Sequence, residues 1–453
     1  MQEKQNDFTK NSMAYNIMSL AIPMTIAQLI NVLYSLVDRM YIGHLAQNST
    51  LALTGLGIAF PIIMLVTAVT NLFGMGGAPL CSIARGRGDD ERAEKIIGNS
   101  FAMLIICSCI LIIIGLVMKK FLLYLFGASD ETYPYANEYF SIYIWESIFV
   151  MVGLGMNTFI NAQGFAKKGM LTILIGAIIN IILDPIFIFC LDLGIKGAAI
   201  ATVIAQFISA SWVLYFLFSD KTIYRIKKSC MKLDFKLIKE IVSLGFSGFV
   251  FATTGSLVQI VCNNVLLFWG GNIYVGIMTV LNSIRDVLQM TIEGIRSGAQ
   301  PVISYNYGAG QYLRVRQGIK FLTKIALLYT SIAWCILDFF PEFFIHLFNS
   351  EEEMLLLGVP ALHIYFLGFF MMAFQSAGQT TFISLGMGKY ATFFSLFRKV
   401  ILVIPLTIFL LNLWDLGVYG VFYAEMISNF VGGIACFFTM MIVVWRRLGK
   451  LNK

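Results

Sequence analysis

Asn180 stands one helical turn before Asp184, and Pro185 follows directly. A proline inside a helix has no N–H to donate and crowds the carbonyl four residues back, here that of Ile181. Carboxylate, amide oxygen and loosened carbonyl together make a hard-oxygen set suited to a small cation, and the carboxylate alone is equally suited to a proton. A second carboxylate closes the stripe Gln28, Asn31, Ser35 and Asp38, whose spacings of three, four and three place all four on one helix face. Tyr139, Tyr143, Glu146 and Asn157 run in similar register. A single Asn or Ser in an apolar helix is ordinarily a hydrogen bond to a neighbouring helix. A carboxylate costs about 2.5–3.5 kcal/mol at such a position, so it marks function by default.

The second half of the chain carries a longer stripe: Asn282, Asp286, Gln289, Glu293, Arg296 and Gln300 alternate spacings of four and three. Ser256, Gln259 and Asn263 accompany it on the preceding segment. So many polar groups on one face predict a water-filled cavity, with Glu293 and Arg296 also placed to neutralise each other at i, i+3. Glu425 and Asn429 repeat the one-turn spacing more weakly.

The elements that must hold these residues are membrane helices. Hydrophobic residues make up 58% of the chain and charged residues 13%, too few charges to solvate a soluble domain of 453 residues. Twelve apolar segments approach or exceed the roughly 20 residues that span a bilayer. They lie at 14–41, 51–82, 95–118, 134–160, 164–190, 195–218, 238–268, 273–303, 317–339, 355–383, 391–412 and 418–445. No strand-like alternation appears, so the backbone must satisfy itself as helix. The cations of the +7 net charge gather in alternate loops, including Arg85, Arg87 and Arg92, Lys167 and Lys168, Arg225 to Lys236, Arg314 and Arg316, Lys389, and Arg446 and Arg447. By the positive-inside rule both termini are cytoplasmic, which an even number of spans requires. This distribution reads as membrane topology and not as a nucleic-acid surface. No removable signal peptide is expected.

Laying the second half over the first aligns Gly76, Pro79, Ser82, Gly86, Gly88 and Arg92 with Gly298, Pro301, Ser304, Gly308, Gly310 and Arg314 at one constant offset. Each copy holds six spans, so both enter the membrane from the same side and the repeats are parallel. Residues 1–218 form an N-lobe, 219–237 a cytoplasmic linker and 238–453 a C-lobe. A repeat joined to broken apolar segments points to a transporter with its site between the halves. Direct ATP hydrolysis is not expected, because no Walker A sequence appears. Nor is an intramembrane enzyme, because no two-His, Ser/His or HExxH arrangement exists. Neither a metal centre nor a disulfide framework is indicated by eight scattered cysteines and three histidines. The 22 methionines and 39 phenylalanines lend slight support to varied ligands.

Ile22-Pro23 and Val37-Asp38, the Gly-rich stretch from Gly74 to Arg92, and Asn180-Ile-Ile-Leu-Asp184-Pro185 followed by Gly194-Ile-Lys-Gly-Ala-Ala resemble the multidrug and toxic compound extrusion (MATE) transporters, nearest their DinF-like branch. The resemblance covers essentially the whole chain. It implies an all-α membrane protein, two six-helix lobes in a V, alternating access, and export of organic compounds against inward H⁺ or Na⁺, with no other cofactor. Asp38, Asn180 and Asp184 match the family positions that form the N-lobe cation or proton site. The N-lobe cavity is then expected to use Gln28, Asn31, Ser35, Glu146 and Asn157, and the C-lobe cavity Gln259, Asn263, Asn282, Asp286, Gln289, Glu293 and Arg296. A multi-pass, monomeric protein of the cell membrane is expected, with small organic substrates and no nucleic-acid partner. Arg39, Arg285 and Arg296 depart from expectation and favour an anionic or zwitterionic cargo. They also leave open a flippase of a lipid-linked or anionic substrate on the same fold; guanidiniums clustered at one depth would support that reading, and pairing with Asp286 and Glu293 would oppose it.

Overall fold

A computed structural model describes residues 8–43, 49–348, 351–411, 413 and 416–451, without the side chains of Ser35, Leu36, Arg39 and residues 42–43, 49–56 and 59–61. The expectations placed on Ser35 and Arg39 fall outside the described residues. Within them the chain is helical and has no strand.

The first half comprises α1 (Met13–Gly43), α2 (Ser49–Arg87), α3 (Asp90–Val117), the short α4 (Lys119–Leu125), α5 (Tyr133–Tyr143), α6 (Glu146–Ala162), α7 (Ala166–Pro185) and α8 (Gly194–Phe218). α9 (Phe235–Gly308), α10 (Tyr312–Phe339), α11 (Pro341–His346), α12 (Glu352–Phe366), α13 (Met372–Ser384), α14 (Gly388–Leu396), α15 (Ile404–Leu410), α16 (Tyr419–Met440) and α17 (Arg446–Lys450) form the second. Ten of these helical stretches are long and apolar enough to cross a bilayer, and α5 with α6 makes one further span bent by 52°. α9 holds two spans, because Gly271 adopts φ 74° and ψ −171° in its middle. A side chain is disfavoured at that φ and glycine is not. The chain doubles back there. Ile241 and Tyr305, near the two ends of α9, both touch α2, at Gly76 and Gly86 respectively; a straight helix would hold them about 95 Å apart. Counted this way, the membrane spans among the described residues number twelve.

Close backbone approach joins the halves. A Cβ on Gly86 would collide with the Tyr305 carbonyl, and one on Gly308 with the Ile83 carbonyl. Ile83 and Tyr305 are themselves equivalent positions of the two repeats, so the contact is reciprocal, as an isologous interface requires. Gly76 against Ile241 and Gly298 against Ala21 repeat the arrangement along the seam. Toward the other ends of α2 and of the first limb of α9, Gly57 and Gly255 have no neighbour within 4 Å of a Cβ position. The halves thus meet at one end and part at the other, giving a V.

Phe8 straps the closed end: its carbonyl accepts from Arg314 Nη2 at 2.7 Å, its ring lies 5.2 Å from the Arg85 guanidinium, and it packs edge-on against Tyr305. The segment between α8 and α9 is pinned to the first half, with Tyr224 Oη donating to Asp90 Oδ1 at 2.6 Å and Lys227 paired with Glu94. Asp234 then caps α9, accepting from the amides of Lys236 and Leu237.

Candidate functional site

Asp184 and Asn180 sit near the end of α7, fully or almost fully buried. Pro185 does not break the chain here. It closes the α-helix and a π-helical turn, Ile186–Cys190, follows, a local widening frequent at functional sites. Asn180 Nδ2 donates to Asp184 Oδ1 at 3.1 Å and to Thr202 Oγ1 of α8 at 3.3 Å, while the Thr202 hydroxyl donates to the Ala198 carbonyl. Donors are thereby used up. Asn180 Oδ1 and Asp184 Oδ2 remain buried acceptors without a donor, the state a proton or small cation would relieve. Half-buried Asp38, on α1 packed along α7, lies within electrostatic reach of Asp184 and of Glu146. Glu146 is buried in the first turn of α6, beside the bend. Three carboxyls from three helices therefore share one apolar region.

Between the halves lies a cavity of about 490 Å³, within the range that takes drug-sized ligands. Of the residues singled out from spacing, Gln28, Asn31, Asn157, Asp286, Gln289, Glu293 and Arg296 line it. Glu146, Gln259, Asn263 and Asn282 do not. Glu146 belongs to the carboxyl group just described, Gln259 is exposed on the first limb of α9, and Asn282 accepts from the Tyr365 hydroxyl at 3.0 Å. Asn71, Asn161 and Gln379 were missed, and Met24, Met75 and Met290 add soft walls. Asn161 had a readable signal, one turn beyond Asn157, where both amide oxygens face α7 at Gly169. A narrow extension of about 20 Å³ shares Asn31, Leu154 and Ile173 with the cavity and reaches Asn180 and Thr202. That is room for one water beside Asn180, behind a wall that the two spaces share.

Arg285 and Arg296 are both paired with carboxylates. Arg296 Nη1 meets Glu293 Oε1 at 2.5 Å and its Nε donates to Thr380, while Arg285 pairs with Asp286 at 3.3 Å and donates to Tyr365. Two further cations, Arg398 and Lys399, escaped notice inside the apolar segment 391–412. Both are buried, beside Glu425 and Asn429. Two adjacent bases within a span were the signal.

The MatE family profile matches residues 23–186 and again 248–409, most of the chain in two copies. Multidrug export protein MepA of Staphylococcus haemolyticus is 25% identical over 448 residues, covering 98% of this chain and 96% of the relative. The protein of the same name from Staphylococcus saprophyticus is 23% identical over 453 residues, with the same coverage. A MATE crystal structure in complex with MaD3S superposes with a TM-score of 0.92 at 22% identity over the whole of both chains. An outward-facing conformation of a multidrug resistance MATE family transporter gives 0.92 at 23%, again over both whole chains. With a doubled family match on a twelve-span V whose cavity is lined in part by amide and charged side chains, the chain belongs to the MATE family of membrane transporters.

Proposed function

We propose that this transporter exports organic compounds in exchange for inward H⁺ or Na⁺ by alternating access. The observation that carries the reading is the buried pair Asn180 Oδ1 and Asp184 Oδ2, which lie without donors next to a small space that shares Asn31, Leu154 and Ile173 with the central cavity. A proton or cation bound by Asp38, Asn180 and Asp184 neutralises charge that burial disfavours, and so changes the relative free energy of the two states. Substrate occupies the cavity against Gln28, Asn31, Asn157, Gln289 and Glu293. The names of the MepA relatives support drug-like organic cargo. With the basic loops cytoplasmic, the closed seam bearing Arg85 and Arg314 faces the cytoplasm and the open end faces outward. The two lobes, residues 1–218 and 238–453, then rock about the Gly86–Tyr305 and Gly308–Ile83 contacts. The flippase reading loses support, because Arg285 and Arg296 are engaged by Asp286 and Glu293.

Efflux of a dye and antibiotic panel from proteoliposomes, under Na⁺ and pH gradients imposed separately, tests this. One gradient should drive uphill efflux, and Asp38→Asn and Asp184→Asn should each abolish it while the protein stays inserted. Uphill export by both variants would show that coupling lies elsewhere.

A further inference from the structure

Arg398 and Lys399 open the π-helical stretch Phe397–Val403, and they occupy the repeat positions of Gly176 and Ala177, which line the extension toward Asn180. Beyond a single-position slip in the repeat, Glu425 and Asn429 occupy the positions of Thr202 and Gln206 of the same wall. The second half therefore places Arg398, Lys399 and Glu425 where the first has neutral residues.

Their charges do not balance. Glu425 is the only carboxylate reaching Arg398 and Lys399 among the described residues, at 3.9 and 3.3 Å, and Arg285 also draws on it at 3.9 Å. Asp286 pairs with Arg285 alone and is exposed. Arg398 gives its Nη1 to the Asn429 amide oxygen at 2.5 Å, while its buried Nε has no partner. The hydroxyl of Ser376 is likewise buried and unpartnered. Both residues line a chamber of about 30 Å³ that opens on the central cavity through Phe251, Gln289 and Gln379. Glu293 stands at its mouth, but its charge is taken by Arg296. A buried cation left incompletely paired is costly, and an entering anion both offsets that cost and supplies the acceptor that Nε and Ser376 lack.

We propose that this chamber is an anion subsite, which takes the carboxylate of an organic substrate whose apolar body fills the central cavity. The inference rests on the export reading for the cavity's purpose, and names its cargo as amphipathic carboxylates and zwitterions. A free inorganic anion offers the same charge, so the test separates the two sources.

Rhodamine 110 carries a free carboxylate that its methyl ester, rhodamine 123, lacks. Fluorescence polarisation with the purified transporter should show rhodamine 110 bound about tenfold more tightly, the value of one charge-assisted contact. Arg398→Gln should erase that preference, weakening rhodamine 110 about tenfold relative to rhodamine 123. Ser376→Ala, which leaves the ion cluster intact, should reduce the preference about threefold and guards against misfolding of the arginine variant. No preference for the carboxylate, with chloride raising the thermal midpoint of the wild type but not of Arg398→Gln, would overturn the organic cargo in favour of inorganic anion. Equal affinities with no chloride effect would overturn the subsite altogether. If neither dye is exported under any ion gradient, the antiport reading fails, while the equilibrium comparison still decides the subsite.

Discussion

Gly86 and Gly308 make the same contact in opposite directions, the first seated on the backbone of Tyr305 and the second on that of Ile83. Any side chain at either position pushes the halves apart at their closed end. Gly86→Val and Gly308→Val should each destabilise the protein by about 1–3 kcal/mol, the usual cost of overpacking a filled interface. Both should also raise maleimide labelling of a cysteine placed at Ser297, on the cavity wall. Thermal unfolding and labelling rates check this; a tolerated valine at one position only would break the pseudo-twofold account.

Asp184→Asn keeps an oxygen for Asn180 Nδ2 and removes the ionisable group. Stability should hold or rise, because the charge that burial penalises is gone. Gradient-driven efflux should fall at least tenfold, roughly 1.4 kcal/mol in transition-state terms. Paired measurements of melting temperature and transport separate this from misfolding, which would lower both.

Glu425 holds three cations. Glu425→Ala leaves them buried together and should cost about 3–5 kcal/mol, whereas Lys399→Met, which removes one cation and keeps the carboxylate, should cost less. Thermal melts in detergent rank the two. The reverse order would mean that Glu425 does not hold the cluster.

Tyr224 is buried against the first half, outside the membrane, and burial with the adjacent Asp90 carboxylate raises its pKa above the ordinary value. A raised folded pKa contributes stability below the unfolded value, near 10, and loses it as pH climbs toward the folded one. Tyr224→Phe should therefore cost about 1.5–3 kcal/mol at neutral pH, the value of a hydrogen bond to a charged group. The gap from wild type should narrow above about pH 10. A gap constant with pH would show that the hydroxyl contributes nothing through its proton.

Periodicity and burial cost made much of this molecule readable in advance. Spacings of three and four place Asp286, Gln289, Glu293 and Arg296 on one face, and that face lines the cavity. The same rule misplaced Asn282, Gln259 and Asn263, because a stripe says which way a helix face points but not how deep a cavity runs along it. Glu146 shares a face of α6 with Asn157, yet about three turns separate them, so that Glu146 at the start of the helix comes within reach of Asp38 while Asn157 lines the cavity. Arg285 and Arg296 looked free in one dimension and are paired in three.

Sequence alone determined the helical membrane class, the twelve spans and the doubled unit, because the bilayer demands internal backbone hydrogen bonds and a fixed apolar length. It also determined the Asn180–Asp184 contact, since one helical turn separates the two. Only tertiary structure decided what lies between the halves. The cavity, the reciprocal glycine seam and the shared carboxylate of Glu425 all join residues that are far apart along the chain. Helical periodicity is local, and it carries no record of which distant face will close against it.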